Sequence, residues 1–430
     1  MSMRDAKGDP KKIRPPKPKP ANPITVAIQQ WLATLPPASA AALDGLDAEG
    51  LLLSAPKRFT IYEPMVLLPS GSFDSPSWQA LLSHSALGPA HVNDLWHALL
   101  RELSKKQKAP LTHLAANQGI PPLVASDAPG DPSSDNILRS PSGLRMLYGD
   151  FGPATSPSGL PSHDDFARAF WVSTKQNGIW QTWAPRWTMF SRGNVKEKAR
   201  LLAFHDETAT AAFPHRASVS LPSGTGSTAA APWAVDMYAG IGYFTFSYAR
   251  LGMRVLCWEL NPWSVEALRR GAVANGWGDV HVARGHDLLR PTRELVPAGA
   301  RIVVFLEDNG EAARRIAAWR SRDALDVLHI NCGLLPTSEA TWRPCWEIVA
   351  RGAAPASWLH LHDNVATGAI EARRADIQSR FDGWVRDEGG AAGEGVTARE
   401  ARVEHVELVK TYAPDVWHCV FDVCILTKRT

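Results

Sequence analysis

Apolar side chains recur at Ile24, Ile28, Trp31, Leu32 and Leu35, the spacing of one helix face, so the ordered part of the chain is predicted to begin with a helix. Two short strand-like runs follow, Phe59–Tyr62 and Met65–Leu68, and helical periodicity returns over Trp78–Leu87 and Val92–Leu103. Residues 126–165 are rich in Pro, Gly and Ser, the composition of long surface loops, with a more ordered patch at 136–152. Phe170–Val172 and Ile179–Trp183 read as two strands of a hairpin, because Asn177-Gly178 between them suits the positive φ angles of a tight turn. Val195–Phe204 reads as a helix with Asn194 as its cap.

After Pro232 the pattern changes to strand–helix alternation. Strands are predicted at 233–239, 254–260, 301–306, 324–331 and 357–362, then at 403–412 and 417–427 with only a turn at Pro414 and Asp415 between the last two. Alternation that ends in a hairpin predicts an α/β domain: a mostly parallel sheet with a C-terminal antiparallel hairpin. Five segments result. They are a basic, Pro-rich tail at 1–22, expected to be disordered; an α+β region at 23–165; a linking α+β subdomain at 166–215; a flexible polar loop at 216–231; and the α/β domain at 232–430.

Composition narrows the class. No apolar run reaches the roughly 18–20 residues that span a bilayer, and no apolar stretch follows the basic start, so neither a membrane span nor a secretory signal is expected. A soluble, cytoplasmic protein is the expectation. The five cysteines are scattered without zinc-type spacing, and His360 and His362 are expected in the core, so no metal is predicted. The net charge of +3 is carried by the tail, where Arg4, Lys7, Lys11, Lys12, Arg14, Lys17 and Lys19 face only Asp5 and Asp9. A polyanionic partner therefore cannot be argued from net charge, and any basic surface has to be local.

The candidate chemistry lies where predicted strands end. In AVDMYAGIGYFTFSYARLG a strand ends at Asp236, and Gly240 and Gly242 allow close approach of a ligand to the backbone before a helix begins. Thr245 stands where a dinucleotide fingerprint would have its third glycine, so an uncharged ribose fits better than a diphosphate. Glu259 ends the next strand, where a carboxylate can accept both ribose hydroxyls, and Asn261-Pro262 opens the following helix. This pair predicts binding of the adenosine end of S-adenosylmethionine, with a nicotinamide dinucleotide as the alternative ligand. Asp308 and Asn309, beyond a buried-looking strand, are placed to meet the adenine amino group, and Asp287 competes for that role. Asn331 heads a loop suited to contact a target base, and Trp342 and Trp346 beyond it are the better stacking candidates although core packing is favoured for them too; Trp171, Trp180, Trp183, Trp233 and Trp258 lie in strand-like runs and are expected in the core.

The strings WAPRWTMFSRGNVKEKAR, VDMYAGIGYFTFSYA, WELNPWSVEALRRGAVAN and HINCGLLPTSEATW, in this order, resemble the tRNA wybutosine-synthesizing protein 2 family, fungal branch. That family is homologous to the tRNA guanine-37 N1-methyltransferases. The similarity runs from about Pro56 to the C-terminus, apart from the Pro/Ser loops and the stretch 276–300, which looks inserted. The resemblance implies a Rossmann-like domain of class I methyltransferase type behind an N-terminal RNA-recognition region. It implies transfer of the 3-amino-3-carboxypropyl group of S-adenosylmethionine to a tricyclic guanine derivative at position 37 of phenylalanine tRNA, releasing 5′-methylthioadenosine. It further implies cofactor roles for Ser191 and Lys198, for Glu259, and for Asp308 with Asn309; Lys198 or Arg192 could hold the amino-acid carboxylate, and Arg192 is a candidate to lie near the base. No general base is evident. A guanine-37 N1-methyltransferase and a catalytically silent tRNA-binding homologue are the alternatives.

Overall fold

The computed structural model describes residues 21–35, 47–119, 123–124, 134–136, 138–139, 141, 143–154, 160–213, 215–216, 231–278, 280–320, 325–352, 354–391 and 398–427. Residues 1–20 of the predicted tail and most of the predicted loop at 216–231 lie outside the described residues. The chain forms two compact units, one containing residues 1–117 and 145–149, the other 118–144 and 150–430.

In the first unit β1 (Thr60–Tyr62) runs antiparallel to β2 (Met65–Leu68), which is parallel to β3 (His113–Ala116). Two short strands of the second unit, β4 (Leu123–Val124) and β5 (Ser134–Asp135), come next in the chain, and β6 (Arg145–Tyr148) completes the first unit's sheet antiparallel to β3. The helix Pro23–Ala33 begins where Asn22 accepts from the Ile24 amide and a proline fills the first turn. The helices Pro76–Leu82 and Pro89–Ser104 also open on a proline. Ile24, Ile28, Trp31, Leu95, Leu99 and Trp78 form the core of this unit, and the Trp78 indole donates to the Leu51 carbonyl.

After β4 and β5 the second unit continues with the predicted hairpin, β7 (Val172–Gln176) and β8 (Ile179–Trp183), with Asn177 at φ 51° and Gly178 at φ 77° in its turn. Its main sheet contains β9 (Trp233–Asp236), β10 (Arg254–Trp258), β11 (His281–Ala283), β12 (Ile302–Phe305), β13 (Val327–Cys332), β14 (Ala356–Ala366), β15 (Arg399–Ala413) and β16 (Val416–Thr427). Their order across the sheet is β11-β12-β10-β9-β13-β14-β16-β15, parallel as far as β14 and antiparallel through β16 and β15. This is the expected α/β domain of methyltransferase type with its terminal hairpin. β9 lies between β10 and β13, so the chain direction across the sheet reverses there, and the crevice at such a reversal is where open α/β sheets bind ligands.

Several expectations need correction. Within the stretch 276–300, which looks inserted, sequence reading missed the edge strand β11, whose three residues are too few to show alternation. For Trp342 and Trp346 the favoured core packing holds and the stacking alternative does not: both are buried, with their indole N–H groups donated to Ser338 Oγ and Glu388 Oε1. Trp180 is the opposite case, 39% exposed on β8 with the Lys175 ammonium over its ring. Asn194 precedes the helix Val195–Leu202, but its side chain makes no capping bond because a 3-10 turn, Arg192–Asn194, leads into the helix.

Candidate functional site

The site is organised from the C-terminal end of β9. Asp236 is fully buried, and its carboxylate accepts from the Thr245 amide at 3.0 Å, the Thr245 hydroxyl at 2.7 Å and Asn331 Nδ2 at 3.1 Å. It therefore joins both ends of the loop 236–245 and anchors that loop to β13. Burial raises its pKa, and the hydrogen bonds from Thr245 and Asn331 oppose that rise. This corrects the sequence expectation for two residues. The carboxylate of Asp236, expected at the cofactor, is bonded within the protein and shapes the loop. Asn331, expected near the base, is completely buried with its amide directed at Asp236.

The loop needs its glycines. Gly240 lies at φ 54° and Gly242 at φ 88°, and a Cβ on Gly242 would come within 2.6 Å of the Phe246 ring. The Gly240 amide donates to Glu259 Oε2 at 2.8 Å, and the Asn261 amide donates to Glu259 Oε1 at 2.8 Å. Each carboxylate oxygen thus takes one backbone N–H and keeps acceptor capacity, which is what a pair of ribose hydroxyls requires. Burial raises the Glu259 pKa, and the amides of Asn261 and Gly240 counter it.

At the end of β12, Asp308 is exposed and caps Gly310 through its side chain, while Asn309 Nδ2 donates to the Met237 carbonyl at 2.9 Å. Asn309 thereby reaches the glycine loop directly. Asp287 is exposed in the 3-10 turn after β11, one strand further from β9 than β12 is, which favours the Asp308–Asn309 pair for the adenine.

The segment after β8 lies against the other side of the glycine loop. Lys198 is 4% exposed, and its ammonium donates to Gln176 Oε1 at 2.6 Å and Gln181 Oε1 at 2.7 Å. It lies 5.3 Å from the Phe190 ring centroid and 5.8 Å from that of Tyr243. Among the described residues no carboxylate pairs with it, and burial lowers its pKa to about 7. Gln181 also donates to the Gly242 carbonyl at 3.4 Å. The Tyr243 hydroxyl donates to the Met189 carbonyl at 2.5 Å and accepts from the Ser191 amide at 3.1 Å. Ser191 and Lys198 are thereby brought against the Gly240–Gly242 loop, while Arg192 is exposed in the adjoining turn. Sequence reasoning missed Tyr243, Gln176 and Gln181; no spacing rule connects a loop tyrosine to a segment some fifty positions earlier.

Beneath this segment Asp422, fully buried on β16, accepts from Arg200 at 2.5 and 3.0 Å, from Arg216 at 3.1 Å and from His360 at 2.8 Å. The chain of contacts continues from His360 to His329 and His205. Arg200 also holds the buried Glu197, so the helix carrying Lys198 is fixed to the sheet by charge. No group of His, Cys, Asp and Glu among the described residues could hold a metal ion.

No family model matches the chain. A curated protein of Schizosaccharomyces pombe, tRNA wybutosine-synthesizing protein 2, is 37% identical over 372 residues, covering 86% of this chain and 72% of that protein. The Saccharomyces cerevisiae protein of the same name is 32% identical over 413 residues, covering 90% of this chain and 78% of its own. A solved P. horikoshii TYW2 in complex with MeSAdo is 16% identical, covers 91% of this chain and 98% of its own, and superposes with a TM-score of 0.47.

Proposed function

Because the chain belongs to the tRNA wybutosine-synthesizing protein 2 family, we propose that it uses S-adenosylmethionine to transfer a 3-amino-3-carboxypropyl group to the tricyclic guanine derivative at position 37 of phenylalanine tRNA. The carbon–sulfur bond to the γ-carbon breaks, and its electron pair stays on sulfur to give neutral 5′-methylthioadenosine. A carbon–carbon bond forms from a ring carbon of the base, and that carbon then loses its proton.

The residues fit this co-substrate. Glu259 would take the ribose hydroxyls, with the loop held open by Gly240 and Gly242, and Asp308 with Asn309 would face the adenine. Lys198 carries the reading. A buried amine with two amide oxygens as partners and no acid among the described residues is complementary to a carboxylate, and the methionine end of the ligand has one. An anion there would draw the amine into its charged form. A sulfonium activates three carbons, and the one placed in line with the nucleophile reacts, so holding the carboxylate at Lys198 is a means of presenting the γ-carbon and not the methyl group. The nucleophile is an electron-rich ring, and positioning suffices until the late loss of the proton.

The test is incubation with S-adenosylmethionine and phenylalanine tRNA carrying the tricyclic base. Methylthioadenosine is the expected by-product. S-adenosylhomocysteine would instead indicate a methyltransferase, and tRNA retention with no detectable cofactor binding would indicate the silent homologue.

A further inference from the structure

We propose that Tyr243 is a positioning residue that fixes the Met189–Ser191 segment against the cofactor loop and so determines which carbon of the sulfonium is presented to the base. This rests on the aminocarboxypropyl reading above and goes beyond it by assigning the choice of carbon to a side chain that belongs to neither end of the ligand.

Tyr243 links the ribose half of the site to the methionine half. On the ribose side its ring packs over Gly240, where an added Cβ would lie 3.1 Å from the ring carbons, and the Gly240 amide is the one bound to Glu259. On the methionine side its hydroxyl donates to the Met189 carbonyl and accepts from the Ser191 amide, across a separation of more than fifty residues. The ring face continues the aromatic stack of Trp183 on Phe190, with centroids 4.7 Å apart, and of Phe190 on Tyr243, 6.4 Å apart. The Lys198 ammonium lies over both Phe190 and Tyr243.

The distance from the ribose anchor to the Met189–Ser191 segment beside Lys198 is therefore set through this ring and its two hydrogen bonds. A ligand held at both ends has its sulfonium carbons oriented by that distance, and a displacement of about 1 Å is enough to cost on the order of a hundredfold in rate. Removing the hydroxyl releases the Met189–Ser191 segment while leaving Glu259, Gly240 and Lys198 in place. A purely structural role would lower the amount of folded enzyme without changing what a folded molecule does.

The experiment compares wild type with Tyr243→Phe, using S-adenosylmethionine and tRNA bearing the tricyclic base, and measures the ratio of methylthioadenosine to S-adenosylhomocysteine. That ratio does not depend on the fraction of enzyme that is folded. The variant is expected to bind methylthioadenosine within about twofold of wild type, since that ligand meets only the ribose half. Its rate of transfer should fall about tenfold to a hundredfold, with S-adenosylhomocysteine appearing as a new by-product. A variant with wild-type rate and wild-type ratio overturns the assignment of Tyr243 while leaving the proposed reaction intact. A wild-type enzyme that itself releases only S-adenosylhomocysteine overturns the reaction and the inference together.

Discussion

Glu259 and Lys198 make different demands on a ligand, and each gives a separate expectation. Glu259 already satisfies two backbone amides, so its remaining acceptor sites are set in direction before a ribose arrives. Glu259→Ala should weaken S-adenosylmethionine binding by about 1.5–3 kcal/mol, the range for hydrogen bonds to a charged group, measured by calorimetry. Lys198 gives a pH dependence. Burial lowers the free enzyme's amine pKa to about 7, and a bound carboxylate favours the ammonium, so affinity should be highest below that pH. Above it, binding must also take up a proton, and the dissociation constant should rise by up to about tenfold per pH unit. Lys198→Arg, which cannot lose its charge in this range, should abolish the enzyme's contribution to that slope, and methylthioadenosine, which has no carboxylate, should show no such slope with either protein. The same pKa acts on folding with a definite sign. The unfolded amine keeps its proton up to about 10.4, so between pH 7 and that value the unfolded chain binds more protons and this group's contribution to stability improves as pH rises.

Much of this site was legible residue by residue, but for unequal reasons. A glycine that must adopt positive φ and an acid at a strand end both leave a local signature, so Gly240 and Glu259 could be read directly. The strand end at Asp236 is legible too, but nothing in the sequence shows that its carboxylate is bonded to Thr245 and Asn331. Tyr243 left no signal, because its partners are brought to it only by the packing of the β7–β8 hairpin region on the Rossmann-like sheet. Ser191 and Lys198 came from the family resemblance; what the structure adds is that the amine is buried with amides in place of acids.

Among the elements, the glycine loop and the helix Val195–Leu202 determine the site's shape. Gly242→Ala combines a φ of 88° with a Cβ 2.6 Å from the Phe246 ring, so the loop has to distort. The expected cost is about 1–3 kcal/mol of stability, seen in denaturant unfolding, together with weakened binding of methylthioadenosine. The helix is fixed from below by Asp422, which neutralises Arg200 and Arg216 in a setting with no solvent access to replace it. Asp422→Ala should destabilise the protein by about 3–5 kcal/mol, the cost of leaving buried charges unpaired. Burial alone would raise the Asp422 pKa, but Arg200 and His360 hold it below the usual carboxylate range. Its stabilising contribution is therefore complete above the unfolded carboxylate pKa near 3.9 and is lost as pH falls below that, so acid unfolding should begin at a higher pH once this pair is removed. The long strands and the terminal hairpin were legible because alternation and turn residues repeat over many positions. β11 was not, because three residues at a sheet edge take their conformation from β12 and not from their own pattern.

For the whole molecule, the order β11-β12-β10-β9-β13-β14-β16-β15 places the glycine loop, Glu259 and Asn309 at one end of the parallel strands, and the segment after β8 brings Ser191 and Lys198 to the same place. A sheet of this type binding S-adenosylmethionine does not specify methylation. In the proposed reaction the chemistry depends on where the amino-acid end of the ligand is held, and Lys198 with its amide partners is the group proposed to hold it. The most direct measurement is the identity of the small product released when the full chain acts on S-adenosylmethionine and phenylalanine tRNA carrying the tricyclic base. Formation of 5′-methylthioadenosine in step with modification of the tRNA is the expected result; S-adenosylhomocysteine in its place, with a methylated tRNA, would contradict it.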